Sequence, residues 1–399
     1  MILVCVPDRR LAKQEMPDSN KYIPYGRHTL DEDDIQAVCR VLRSDWLTTG
    51  PLVAKFEAKV QSLTGADFAA AVSSGTAALH AIMAALGIKP GDEVILPPMT
   101  FAATANVIVH QGGTPVFADV DPDTLLIDPG CVAQKLNDRT RAVIAVDYAG
   151  QACDYDALKA VCKDSNVPLV ADACHALGGS YKGRMIGSVA DLTAFSFHPV
   201  KAITTGEGGV VTTDSQEYTE KIQQFRNHGI DMDHQHRAEA CSWEYQIESP
   251  GLNYRITDIQ CALGISQLDK LTSWIEQRNR IAEQYDLFFG TIDGVSGLKK
   301  EDYGVHARHL YVILLDPDKT RGGRRVLFEE LRQKEIGVNV HYKPVYLHPY
   351  YQKRFGFRQG ECPHAEQAYE RMVTLPLYPG LSQSDQERVC RAVSEMLEG

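Results

Sequence analysis

The sequence has no long apolar run, no Cys-x-x-Cys pair and no excess of positive charge, and each absence excludes a class of function. Its apolar opening, Met1 to Val6, is too short for a signal peptide or a membrane span. Residues 1–21 show no helical or strand period, end in Pro17-Asp18-Ser19-Asn20, and are expected to form an extension outside the core. The ten cysteines are scattered, mostly in apolar or helical surroundings such as that of Cys261. That usage suits free buried thiols in a reducing compartment, so the cytoplasm is the expected address. A net charge of −11 opposes a nucleic-acid or anionic-membrane partner, although an anionic small molecule can still be held by a local group of donors. No spaced Cys/His set supports zinc, so Asp231-Met232-Asp233-His234-Gln235-His236 reads as a polar loop and no metal is expected.

What is present is a regular pattern from Tyr22 onward. DEDDIQAVCRVL, Asp31 to Leu42, carries acids in its first turn and apolar residues at helical spacing. AALHAIMAALG and FAATANVIVHQGG then read as helices between the extended runs EVILPP and TPVFADV. RAVIAVDY, PLVADA, DLTAFSF and GGVVTTD read as short strands, with YDALKAVCKD as a helix between the first two. Such alternation predicts an α/β domain around a mainly parallel sheet, whose ligand-binding residues gather at the carboxyl ends of strands. A long helical stretch, 257–289, connects to a remainder that reads strand, helix, strand, helix, helix, with VNVHY as the second strand. The expected division is a large domain over 22–275 and a smaller α/β domain over 276–399.

Four signals carry chemistry. Ser73-Ser74-Gly75-Thr76 directly precedes a helix, where backbone N–H groups and hydroxyls can hold a phosphate; an ordinary Ser/Thr helix cap would look the same. Asp172 closes the strand PLVADA with His175 three residues on; its carboxylate could hold a pyridine nitrogen protonated or simply cap a helix. Ser196-Phe197-His198-Pro199-Val200-Lys201 runs into the turn Thr204-Thr205-Gly206-Glu207-Gly208-Gly209. A lysine beside an apolar strand is poorly explained as a solvated charge, and lysine is the residue that forms a Schiff base once its amine loses a proton. Asn253-Tyr254-Arg255 offers an amide and a guanidinium, both donors to phosphate or carboxylate.

Taken in order, S-S-G-T, D-x-x-H, S-F-H-x-x-K and N-Y-R resemble the DegT/DnrJ-type sugar-nucleotide aminotransferases, which have the type I, aspartate aminotransferase-like fold. The resemblance runs from about Tyr22 to the C-terminus. It is closer to the branch acting in pseudaminic acid biosynthesis, through Val146-Asp147-Tyr148-Ala149-Gly150, the block Ser196 to Gly209, and His341-Tyr342-Lys343-Pro344.

The resemblance implies pyridoxal 5′-phosphate carried on Lys201, Asp172 at its pyridinium and His175 near its hydroxyl, where many relatives have glutamine. It implies a phosphate held by Gly75, Thr76 and Ser196, with Asn253 arriving from the second subunit of a homodimer. Phe101 would cover one ring face, although by pattern alone it could be a core phenylalanine. The sugar nucleotide would meet Tyr25, Asp45, Trp46, Leu47, Thr48 and His341 through Pro344. Trp46 could equally anchor a helix end. The implied reaction moves the amino group of L-glutamate to the 4-keto group of a UDP-linked 4-keto-6-deoxy-N-acetyl-hexose. A dehydratase relative would carry histidine in place of Lys201. A sensor that had lost the chemistry would not need the full set Asp172, Ser196, Lys201 and Asn253. A general amino-acid transaminase would need a dedicated carboxylate-binding arginine, for which Arg255 is the one candidate.

Overall fold

The computed structural model describes residues 22–231, 243–320 and 322–398; the expected N-terminal extension and the histidines of 234–236 lie outside them. The first half runs α1 (Glu32–Leu42), α2 (Pro51–Thr64), β1 (Phe68–Val72), α3 (Gly75–Ala85), β2 (Glu93–Leu96), α4 (Ala102–His110), β3 (Thr114–Phe117), α5 (Pro129–Lys135) and β4 (Thr140–Val146). It continues through α6 (Tyr155–Lys163), β5 (Leu169–Asp172), a short hairpin of β6 (Ser180–Tyr181) and β7 (Arg184–Met185), β8 (Leu192–Ser196), β9 (Gly209–Thr213) and α7 (Gln216–Phe225). The seven-stranded sheet has the order β1-β9-β8-β5-β4-β2-β3. Only β9 runs against its neighbours, pairing antiparallel with β1 and β8, whereas β8, β5, β4, β2 and β3 are parallel.

This sheet is mainly parallel because its strands are apolar on both faces. β2 and β5 are buried along their whole length, and β4 exposes only Arg141. Several helices start where a side chain caps them. Asp31 and Asp34 form a reciprocal capping box on α1, and Ser74 accepts from Ala77 N at 3.0 Å to open α3.

The chain then forms α8 (Asp258–Leu268) and α9 (Leu271–Phe289) in place of one expected helix from 257 to 289. No proline or glycine marks the break at Asp269–Lys270. Lys270 bonds Asp34 at 2.8 Å and also reaches Asp31, while Leu268 and Leu271 both turn inward. The remainder adds β10 (Val295–Gly297), β11 (Tyr311–Leu315), α10 (Gly323–Gln333), α11 (Pro349–Phe355), α12 (Pro363–Arg371), β12 (Met372–Leu375) and α13 (Gln383–Glu398). β10, β11 and β12 make an antiparallel sheet with its own apolar cluster, including Tyr285, Leu327, Leu331 and Val389. VNVHY is not a strand: it meets the free edge of β12 at one bridge, Asn339 to Thr374, and pairs no further, because Val340 N–H bonds back to Asn339 Oδ1 and the His341 carbonyl accepts from Tyr148. The segment instead turns toward Lys201. Among the described residues, no helix is long and apolar enough to cross a membrane.

Candidate active site

The site forms beyond the carboxyl ends of β4, β5 and β8, where a parallel sheet leaves strand termini open. Asp172 is the last residue of β5 and is buried. Its Oδ2 accepts from Thr104 Oγ1 at 2.7 Å and its Oδ1 from the Cys174 N–H at 3.3 Å. Thr104 in turn lies 2.7 Å from Thr100 Oγ1. The carboxylate is therefore oriented from α4 and from its own following turn.

Lys201 follows β8 on a loop that is tied down at several points. Its own N–H donates to His198 O, Thr205 N–H donates to Phe197 O, and Thr204 Oγ1 bonds Phe197 O at 3.1 Å. Gly206, at φ +79°, closes the Thr/Gly turn with its N–H on Thr204 Oγ1 at 2.9 Å. Lys201 is half-buried. Burial drives its pKa below the ordinary lysine value, against the smaller opposing pull of Cys174 and Asp172.

Gly75, Ser196 and Cys174 meet beside that loop. A Cβ on Gly75 would stand 2.7 Å from Ser196 Cβ and 3.2 Å from Cys174 Sγ. A Cβ on Gly209 would stand 2.4 Å from Ser74 O, so the Gly-Gly start of β9 lets the two segments touch. Ser74 is thus the cap, and Gly75 leaves the first turn of α3 open next to Ser196. Thr76 is exposed.

His175 is buried, with Nε2 3.2 Å from Tyr342 Oη and Nδ1 without a partner. Burial, then the nearby Lys201 and His341, hold its pKa well below the usual histidine value. His341 is also buried; its Nδ1 lies 2.9 Å from Thr374 Oγ1, and burial followed by the Lys201 charge lowers its pKa to about 4. Tyr148 donates its hydroxyl to the His341 carbonyl. Tyr342 stacks on His175 at 6.2 Å and meets Phe101, also at 6.2 Å; Tyr25 packs on His341 at 5.5 Å. Phe101 is 61% exposed at the start of α4, which excludes the core-phenylalanine reading. Lys343 is half-buried and Pro344 buried.

The structure does not bring every expected residue to this cluster. Asp45, Trp46, Leu47 and Thr48 are exposed after α1, where Leu47 O accepts from Asp258 N–H and Thr48 bridges Thr257. Asn253 is exposed, bridging Asn227; the neighbouring Tyr254 carbonyl accepts from Ser73 N–H at 2.8 Å, so the two loops are joined by backbone. Arg255 donates to Asn227 Oδ1 at 2.8 Å. Thr104 and His309 escaped the sequence reading, and Asp147 was quoted there without a role. Thr104 carried a signal, since Thr100 and Thr104 are one helical turn apart and α4 follows a strand end. Asp147 follows β4 and is wholly buried, accepting from Tyr155 Oη at 2.8 Å and Cys153 N–H at 2.9 Å. Burial raises its pKa to about 7 despite both donors, with Asp172 adding to the rise. His309, from the far side of the chain, had no local signal.

A lysine and an aspartate at the carboxyl ends of a mainly parallel sheet, beside an open helix start, define the class of a type I aminotransferase-like enzyme. The chain belongs to the DegT/DnrJ/EryC1/StrS aminotransferase family, whose model matches residues 28–394. It is a pyridoxal-phosphate-dependent sugar aminotransferase. It is 43% identical to the spore coat polysaccharide biosynthesis protein SpsC of Bacillus subtilis, covering 95% of this chain and 98% of that protein. Among solved structures it is similar to the putative sugar aminotransferase Spr1654 of Streptococcus pneumoniae in its PMP-form, with TM-score 0.89, 34% identity, and coverage of 94% and 99%. It is also similar to PseC of Helicobacter pylori, an aminotransferase involved in the biosynthesis of pseudaminic acid, with TM-score 0.88, 32% identity, and coverage of 95% and 100%.

Proposed function

We propose that the chain transfers the amino group of L-glutamate to the 4-keto group of a UDP-linked 4-keto-6-deoxy-N-acetyl-hexose. The product would be UDP-4-amino-4,6-dideoxy-N-acetyl-β-L-altrosamine, destined for pseudaminic acid. The observation that carries the chemistry is the convergence of Lys201, Asp172 and the Gly75–Ser196 contact around one strand-end site. The likeness to PseC supports the choice of sugar.

The residues fit pyridoxal phosphate. A Cβ at Gly75 would fill the space beside Ser196, so its absence leaves the first N–H groups of α3 and the Ser196 hydroxyl able to serve a phosphate. The unpartnered Nδ1 of His175 fits a ring hydroxyl, and Asp172 fits a pyridinium. Thr76 and, from a second subunit, Asn253 complete the phosphate set, while Phe101 covers the ring. When bound, the cofactor supplies an electron sink that lets an amino group leave one carbon and join another.

The protein's own part is proton handling and orientation. Burial favours a neutral Lys201 Nζ, which serves first as the covalent anchor and then, when free, as the base that takes the donor's α-proton and later returns one to the sugar carbon. Asp172, fixed by Thr104, holds the pyridinium proton. Tyr25, Asp45 through Thr48 and His341 through Pro344 receive the sugar nucleotide, with Lys343 and backbone donors meeting the diphosphate. Asp45–Thr48 and Asn253 are exposed and so able to face a second subunit's site, which supports a homodimer whose sites are shared. The free cysteines among the described residues are consistent with the cytoplasm.

The chain is also similar to SpsC, a spore coat polysaccharide biosynthesis protein, so a second reading is transfer to another nucleotide-linked keto sugar, for example one of the bacillosamine type. The test supplies L-glutamate with the L-arabino UDP-4-keto sugar or its D-xylo 5-epimer and follows 2-oxoglutarate. A site whose buried polar groups are left unpaired by the wrong epimer rejects it by roughly 10⁴-fold. Strong preference for the L-arabino sugar is expected. Preference for the D-xylo form, or equal turnover, selects the second reading.

A further inference from the structure

His309 is buried just before β11, and nothing in the mechanism above uses it. Its ring centroid lies 4.4 Å from that of His175, tilted by 43°. Each of the two rings has a buried Nδ1 with no hydrogen-bond partner. An unpaired buried ring nitrogen costs about 1–3 kcal/mol, so two of them on touching rings call for a common explanation.

The contact is built deliberately from distant segments. His309 N–H donates to Ala149 O at 2.9 Å, and Arg278 Nη1 lies 3.5 Å from the His309 carbonyl. Gly150, at φ +97°, sits where a Cβ would be 2.8 Å from His175 O and 3.0 Å from His309 N. Any side chain there would push the two histidine segments apart. The turn Tyr148-Ala149-Gly150 is therefore what allows the imidazoles to meet.

We propose that His309 is a second histidine of the site, and that its Nδ1 and that of His175 serve the same polar atom of the bound cofactor, its ring hydroxyl oxygen. The inference rests on the cofactor reading above. Tyr342 Oη lies 3.2 Å from His175 Nε2, and in the tautomer where that nitrogen accepts, the ring carries its proton on Nδ1 and presents it as a donor. A matching Nδ1–H on His309 gives the oxygen a second donor. Both imidazoles stay neutral because burial lowers their pKa values, and Lys201, His341 and, for His309, Arg278, the charged or titratable groups also facing them, push the same way. Two neutral donors on one oxygen stabilise its deprotonated form without adding a charge beside the amine.

The experiment reads the pH midpoint of the bound cofactor's visible band in holoenzyme, together with equilibrium uptake of pyridoxal phosphate by apoprotein. His309→Ala and His175→Ala should each shift the midpoint in the same direction, by about half to one pH unit, the worth of one hydrogen bond. His309→Asn, whose amide can place a donor near the position of Nδ1, should stay near wild type. His309→Phe keeps an aromatic face without a donor and should shift as alanine does. Melting of each apoprotein shows that the variants are folded. A wild-type midpoint in His309→Ala or His309→Phe overturns the proposal, as does loss of the band in His309→Asn along with the others. If wild-type protein itself takes up no pyridoxal phosphate, the cofactor reading fails first and separately.

Discussion

Replacing Thr104 by valine is the sharpest test of how Asp172 is held. The two side chains have the same shape, so the change removes a hydroxyl and leaves little void. An ionised carboxylate only accepts, which means Thr104 must donate to Asp172 Oδ2 across 2.7 Å. Having spent its one proton, Thr104 must accept from Thr100, 2.7 Å away. The order of donation thus runs from Thr100 through Thr104 to Asp172. Thr104 is fully buried and Asp172 nearly so, so no water replaces the lost donor.

A hydrogen bond to a charged acceptor is worth about 1.5–3 kcal/mol, and the Thr100 hydroxyl loses its acceptor too. Thr104→Val should therefore cost about 2–3 kcal/mol in urea unfolding of the apoprotein, and Thr100→Val about 1 kcal/mol, since only the outer bond goes. Asp172 would keep the 3.3 Å bond from Cys174 on its other oxygen and could rotate. The rate of the half-reaction with L-glutamate, followed by stopped-flow absorbance, should fall about 10–100-fold, equivalent to about 1.4–2.7 kcal/mol. Thr104→Ser should restore most of it. Equal effects of the two valine variants, or a Thr104→Val rate within twofold of wild type, would refute the directional chain.

Two further outcomes follow from the same geometry. The pKa of Asp147 near 7 lies above the ordinary carboxyl value, so between about pH 4 and 7 the unfolded chain releases a proton that the folded chain keeps. Stability from this group is complete at the acid end and falls by up to about 1.4 kcal/mol per pH unit through that window, so the stability of Asp147→Asn relative to wild type should rise with pH; parallel curves would sink the assignment. For the shared site, inactive Lys201→Ala and Asn253→Ala subunits should recover about a quarter of wild-type turnover on mixing, because half the dimers are mixed and each has one intact site. No recovery despite demonstrated subunit exchange would count against it.

The parallel sheet was legible because its strands are short apolar runs between helical periods, and β5 and β8 announce Asp172 and Ser196 at their ends. Lys201 was legible through the Thr/Gly turn that follows it. The break between α8 and α9 was not, because it is made by Lys270 reaching back to Asp31 and Asp34, more than two hundred residues earlier, with no local breaker. VNVHY has strand composition, but beyond its one bridge to β12 its backbone bonds to the Asn339 and Tyr148 side chains, a tertiary fact that overrides propensity. His309 stands before the strand YVILL as any buried histidine might. Its meaning depends on Gly150 and His175, which local pattern cannot join to it.

The electrostatics of the site then follow from burial more than from charge. The chain carries a net charge of −11, yet Lys201, His175, His309, His341 and Arg278 crowd together near the carboxyl groups of Asp172 and Asp147. Were the imidazoles protonated, their repulsion would oppose one another and the lysine. Burial keeps all three pKa values below the usual histidine value, to about 4 for His341, so near neutral pH they act as oriented dipoles. Lowering the pKa of Lys201 by the same burial brings its amine toward the neutral form that the covalent attachment and proton transfer proposed for it would require. A solvated lysine in an open cleft of this acidic protein would be held protonated by its surroundings. The buried turn of Tyr148-Ala149-Gly150 and the inward course of His341-Tyr342 are therefore part of that burial, because they set His175, His309 and His341 beside Lys201.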